Sequence, residues 1–205
     1  KTILTTLLMA ACCTTMAQQL AKGNVYVDEN KNGKKDKREV GLAGVPVSNG
    51  FDVVLTDAEG NYNIAVQEDN QIFVIKPSGY ALPVDADNHP KFYYTYKPKG
   101  SPELKYPGVA PTGKLPSAID FALYKQEEAN KFSAFVFGDP QAYTLEELAY
   151  FKKGIIDEAK ERKGLLFGIS LGDLVGDDLS LHPAYKKTVG GMGMPWYNVM
   201  GNHDM

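Results

Sequence analysis

From Asn24 to Lys125, apolar and polar positions follow one another in short runs: NVYVD, GVPVS, DVVLT, NYNIAV, QIFVIKP, KFYYTYKP and AIDFALYK. Each run is bounded by turn-forming residues, and several alternate with period two. That is the signature of half-buried strands, and many short strands with frequent turn signals predict a small β-sandwich. The stretch FDVVLTDAEGNYNIAV predicts a hairpin, with Asp57-Ala58-Glu59-Gly60 as its turn. The Pro- and Gly-rich segment 97–116 predicts a long loop.

After Lys125 the pattern changes. The polar QEEANK leads into FSAFVFGDPQ, an apolar run that stops at Gly-Asp and marks a domain boundary. Thr144 has the position of a helix N-cap, with Glu147 as its capping-box partner. Leu148, Phe151, Ile155 and Ala159 follow at helical spacing, and Gly164 lies beyond a basic last turn. LLFGISLGD and PWYNVMGNHD repeat the buried strand that ends in Gly plus a polar residue. Strand, helix, strand, helical segment, strand predicts an α/β layer, with polar side chains gathered at the carboxyl ends of its strands. Trp196 and Tyr197 read as core, and His89 and His182, each before a proline, as exposed loop residues.

Composition narrows the function. A formal net charge of -3 and a pI near 5.7 provide no basic field for a phosphate backbone, which argues against nucleic acid as a partner held by charge. Residues 1–17 set one lysine before an apolar run and end in small residues, as secretory signals do, so the protein is expected to be exported, periplasmic or extracellular. Both cysteines, Cys12 and Cys13, fall in this segment, leaving the remainder without disulfides. Met9-Ala10-Ala11-Cys12 also resembles a lipoprotein box, the alternative in which Cys12 is acylated and tethers the chain to a membrane.

Three strand ends carry hard oxygen donors: Asp139 in FGDPQ, Asp173 in LGDLVGDD, and Asn202 beside His203 in GNHD. Parallel neighbours would gather them at one sheet edge, where carboxylates repel unless cations neutralise them, so divalent metal is the expected partner. In combination these motifs resemble the calcineurin-like metallophosphoesterases over residues 132–205. The resemblance implies that Asp139 binds a first metal, Asp173 bridges two, Asn202 binds the second, and His203 stands by the leaving-group oxygen as general acid or charge stabiliser. It also implies a phosphate-ester substrate, mono- or diester, attacked by a hydroxide that two divalent ions (Mn, Mg, Fe or Zn), about 3.5–4 Å apart, activate. Two positions depart from the family pattern. Gln141 stands where a histidine ligand is usual, which favours harder ions. Gly176 stands where the acidic partner of His203 is usual, passing that role to Asp177 or Asp178, with Asp177 preferred.

A second metal motif lies in the first region. DENKNGKKDKRE, residues 28–39, matches the twelve-position calcium loop, with side-chain oxygens from Asp28, Asn30, Asn32, Asp36 and Glu39, the Lys34 carbonyl, and Gly33 at the sixth place. Together with GLAGVPV it is similar to the calcium-binding B-type repeats of bacterial surface proteins, and the region also looks like the module that precedes some bacterial calcineurin-like phosphoesterases. The expected layout is therefore a signal peptide at 1–17, an all-β sandwich of Ig-like or prealbumin-like type at 22–125, and the first half of an α/β metallophosphoesterase sandwich at 132–205. The family completes its metal sites with later histidines, so the chain is expected to be an inactive fragment of an enzyme. The alternative is a non-catalytic, calcium-stabilised surface or adhesion module.

Overall fold

The computed structural model describes residues 19–205; the expected leader, with Cys12, lies outside them. The N-terminal part is β-rich. Strands β1 (Gln19–Val27), β4 (Asn61–Val66), β6 (Tyr80–Ala81) and β8 (Phe121–Lys125) form one sheet in the order β4-β1-β8-β6. Strands β2 (Pro46–Ser48), β3 (Val53–Leu55), β5 (Asn70–Val74) and β7 (Tyr93–Tyr96) form another, in the order β3-β2-β5-β7. Period-two alternation does the work here: β4 reads exposed, buried, exposed, buried along Asn61–Ile64. Its inward residues Tyr62, Ile64 and Val66 share one core with Val25 and Leu123 of the same sheet and with Val47, Ile72 and Val74 of the other.

The expected hairpin is not formed. Its turn is present, with Gly60 donating to the Asp57 carbonyl at 3.0 Å and the Asp57 carboxylate accepting from Asn61 N–H at 2.7 Å. The strands on either side part, however: β3 pairs with β2, and β4 with β1. The turn is a crossing between sheets: β3 folds back on its near neighbour β2, whereas β4 takes a distant partner in β1.

Residues 133–199 build the α/β layer. Strands β9 (Ser133–Phe137), β10 (Leu165–Leu171) and β11 (Trp196–Val199) run parallel in the order β11-β10-β9. Thr144 caps helix α1 (Leu145–Phe151), its hydroxyl accepting from Glu147 N–H at 3.1 Å; Glu147 returns its carboxylate to Tyr143 N–H rather than to the cap residue. A π-turn over Lys152–Ile156 then joins α1 to the single turn α2 (Asp157–Ala159). The extra residue in that turn rotates the following frame. Ile156, at 1% exposure, therefore takes the core position expected of Ile155, which is 45% exposed. Helix α3 (His182–Gly190) packs beside α1, and its Tyr185 and Val189 are fully buried.

These helices cover one face of the three-stranded sheet. On it Phe137 packs against buried Trp196 with Phe135 beside it, and Trp196 Nε1 donates to the hydroxyl of fully buried Ser170. The apolar runs read as buried strands, but Phe132, Val136, Leu171 and Val199 are exposed. Parallel sheets are ordinarily covered on both sides, so this bare apolar face lacks a packing layer among the described residues.

Candidate metal and phosphate site

The carboxyl ends of β9, β10 and β11 converge. The chain after β9 extends the sheet: Gln141 N–H donates to the Asp173 carbonyl at 2.8 Å, and Ala142 bridges Val175 in parallel. The chain after β11 closes on the same place in a short 3-10 turn, Asn202–Asp204. His203 N–H donates to Asp173 Oδ1 at 3.0 Å. Gly201 makes this approach possible, since a Cβ there would lie 2.1 Å from Asp173 Oδ1.

Backbone strain concentrates here. Seven non-glycine residues among those described have positive φ, and four of them are predicted site residues: Asp139, Gln141, Asp173 and Asp177. Such conformations persist where surrounding contacts over-determine them, and they cluster at functional sites. Gln141 turns its amide Nε2 to the Tyr143 hydroxyl at 3.2 Å, which leaves the amide oxygen as its group for a cation.

His203 Nδ1 lies 2.7 Å from Asp177 Oδ1. That contact, first of all, raises the imidazole pKa above its ordinary value; burial opposes it, and the charges of Asp177, Asp173 and Asp204 add to it. Asp178 points elsewhere, capping the turn at Leu179–Leu181 through Ser180 N–H and hydroxyl, and these bonds lower its pKa. Gly176 has a steric reason to be glycine: a Cβ would meet the Tyr143 ring at 2.5 Å. The acidic partner of His203 is thus displaced by one position along the chain.

Several residues in and around the site have places that the sequence did not announce. Asp204, buried, accepts from Leu174, Val175 and Gly201 N–H groups at 2.8–3.2 Å and ties the β10 and β11 ends together. His182, expected in an exposed loop, opens α3 with Nε2 3.6 Å from Asp204 Oδ1. His89, also expected exposed, is 8% exposed: Nδ1 faces the Trp196 carbonyl and Nε2 the Lys186 carbonyl, each at 3.2 Å. Beside it, Asn88 donates to the Gly190 carbonyl at 2.8 Å and accepts from Trp196 N–H at 2.9 Å. Loop 85–90 therefore joins the β-rich region to the strand that carries Gly201–Asp204. Nothing in a His-Pro dipeptide signals such a partner a hundred residues away.

The donors suit hard divalent cations: two carboxylates, two amide oxygens and no thiolate. Among the described residues no group of three or more His, Cys, Asp or Glu side chains closes as a metal cluster.

The loop 28–39 is organised around Asp28, 1% exposed, whose two oxygens accept from Asn32 N–H at 3.2 Å and Gly33 N–H at 2.7 Å. Asn30 and Asn32 both donate to Asp36 Oδ2, at 2.8 and 2.9 Å, and Glu39 accepts from Glu29 N–H and Asp36 N–H. The six predicted calcium positions thus lie on one closed loop.

Residues 29–106 match the family model described as the N terminal of calcineurin-like phosphoesterase. No curated protein matches the chain. The match lies within the β-rich region, and the strand-end motifs at 139–141, 173–178 and 201–204 lie beyond it. It supports a place among the calcineurin-like phosphoesterases, suggests a metallophosphoesterase and hence a hydrolase, and does not favour a non-catalytic surface module. Enzymes of that family generally use divalent metals.

Proposed function

We propose that the chain is the N-terminal part of an exported, metal-dependent phosphoesterase that hydrolyses phosphomonoesters or phosphodiesters, with residues 22–125 as an accessory β-sandwich. The observation that carries this reading is the His203–Asp177 pair, 2.7 Å across, set beside Asp173 at the converging strand ends. Asp139, Gln141, Asp173 and Asn202 would hold two divalent cations, which when bound supply Lewis-acid polarisation of the phosphoryl group. Asp177 fixes the imidazole through Nδ1, so Nε2 is the nitrogen that faces the leaving group. As water attacks phosphorus and the P–O bond breaks, the proton on Nε2 passes to the departing oxygen. The bare apolar sheet face supports a further layer of the same catalytic domain packing there. In the accessory region, Asp28, Asn30, Asn32, the Lys34 carbonyl, Asp36 and Glu39 would bind calcium as a clip in a fold without disulfides.

The test is hydrolysis of p-nitrophenyl phosphate and bis(p-nitrophenyl) phosphate by the full-length protein with and without Mn²⁺. Metal-dependent cleavage of at least one ester is expected, and Asp173→Asn is expected to abolish it without loss of fold. Cleavage of neither ester, with no metal copurifying, would sink the proposal.

A further inference from the structure

The loop 97–116 of the β-rich region has a pinned base and a projecting tip. Lys97 and Thr112 join through two bonds, Lys97 N–H to Thr112 Oγ1 and Thr112 N–H to Lys97 O, both at 3.0 Å. Ser101 and Val109 repeat this further out, at 2.8 and 3.0 Å. Two cross-links of this kind make a compact loop whose tip is held rather than free. The tip carries Lys105 and Tyr106, and it ends at the phosphate site. Tyr106 hydroxyl donates to the Asp177 carbonyl at 3.2 Å, on the residue that pairs with His203 and has a positive φ of 63°. The Lys105 ammonium lies over the Tyr106 ring, 4.7 Å from its centroid.

Charge gives this arrangement a purpose. Asp139, Asp173, Asp177, Asp178 and Asp204 gather at the strand ends, and a phosphate ester brings further negative charge. Lys105 sets a positive group at the rim of that field, on the side where Asp177 is 72% exposed at its side chain. Asp178 registers the nearness: after Ser180, Tyr106 and Lys105 are among the groups that hold its carboxyl low. The cation–π contact restricts the lysine without neutralising it, so the ammonium keeps its donors for an anion.

We infer that the β-rich region completes the substrate side of the site. Lys105, steered by Tyr106 against Asp177, binds the non-bridging oxygens of a phosphate monoester dianion and sets a preference for it over a singly charged diester. This rests on the phosphoesterase reading and adds a recognition residue from outside the catalytic motifs. Lys105 is exposed and makes no core contact, so its replacement leaves folding intact.

The experiment uses full-length protein loaded with Mn²⁺ and measures two things: calorimetric binding of inorganic phosphate and steady-state hydrolysis of the two nitrophenyl esters. Lys105→Ala is expected to weaken phosphate binding and raise KM for the monoester about five- to tenfold, with kcat little changed and the diester affected less. Lys105→Glu goes further, and Lys105→Arg restores most of the loss. Phosphate binding that is absent in the wild type, or equal in wild type and Lys105→Ala, overturns the inference. Lys105-dependent phosphate binding by a protein that cleaves neither ester would keep the inference and remove the hydrolase reading.

Discussion

The buried carboxylate of Asp204 accepts the Leu174 backbone N–H at 3.0 and 3.1 Å through both of its oxygens. Val175 and Gly201 N–H groups complete its shell, so one side chain fixes the loops after β10 and β11 to each other. Both loops carry predicted ligands, Asp173 on one and Asn202 on the other. Asp204→Ala would leave two buried amides and the half-buried Gly201 N–H without acceptors and is expected to cost about 3 kcal/mol in a urea melt. Asp204→Asn, which keeps one oxygen, should cost less. Equal stability of Asp204→Ala and wild type would refute the clamp.

His203 and Asp177 make a prediction in pH. The folded-state pKa of His203 lies above its unfolded value, so the pair stabilises the fold below the unfolded pKa. That contribution disappears as pH rises through the folded pKa. In metal-free protein the His203 ring protons, followed by NMR, should titrate at higher pH than an unperturbed histidine. Asp177→Asn should move the midpoint acidic, and with it the alkaline limb of kcat in the full-length enzyme. Asp178→Asn should move neither, since Asp178 faces Ser180. Midpoints that coincide in wild type and Asp177→Asn would show that the 2.7 Å contact does not govern the ring.

What the sequence made legible was local. Most strands stand where alternation and apolar runs place them, β6 and the start of β1 excepted, and Thr144 caps its helix because the capping bond spans only three residues. Features set by distant contacts were not legible. The Asp57–Gly60 turn looked like a hairpin because turn chemistry is local while strand pairing is not. The exchange of Ile156 for Ile155 depends on a π-turn that no apolar spacing announces. In the candidate site the same division holds. The Gly-Asp and Gly-Asn-His signals put Asp139, Asp173 and Asn202 just past the ends of β9, β10 and β11, whereas the bonds from Asp204 to Val175, His89 to Trp196 and Tyr106 to Asp177 span 29 to 107 positions. Asp177 was singled out by counting past Gly176; the Tyr143 ring is the physical reason the count slips.

Calcium should act on the loop 28–39 as a ligand that binds the folded state alone. Calcium at a hundredfold excess over its dissociation constant would add about 2.7 kcal/mol to stability. A melting temperature that rises with Ca²⁺ and falls with EDTA is therefore expected. Asp28→Ala should lower the melting temperature and remove its calcium response, because Asp28 orders the loop through Asn32 and Gly33 as well as offering oxygens to the ion. A melt indifferent to both Ca²⁺ and EDTA would leave the loop as a hydrogen-bonded turn with no ion.

His89 should couple the two regions. Its ring sits between the Lys186 carbonyl on α3 and the Trp196 carbonyl on β11, and Asn88 holds Gly190 and the Trp196 amide beside it. Asn198, on the same strand, keeps Oδ1 buried without a hydrogen-bond partner, while its Nδ2 lies 3.4 Å from His89 Nδ1. His89→Ala would leave one of the Lys186 and Trp196 carbonyls without its donor, since a neutral ring donates from a single nitrogen, and is expected to cost about 1–2 kcal/mol. The loss should be regional: amide exchange over residues 196–204 should quicken while β1 and β4 keep their protection. Trp196 is the single tryptophan of the chain and is fully buried, so its emission reports on the same contact and should shift to the red in His89→Ala. His89→Gln, which can still donate to one carbonyl, should recover part of both signals. Exchange at 196–204 that matches wild type in His89→Ala would mean that α3 and β11 hold the Gly201–Asp204 turn without help from the β-rich region.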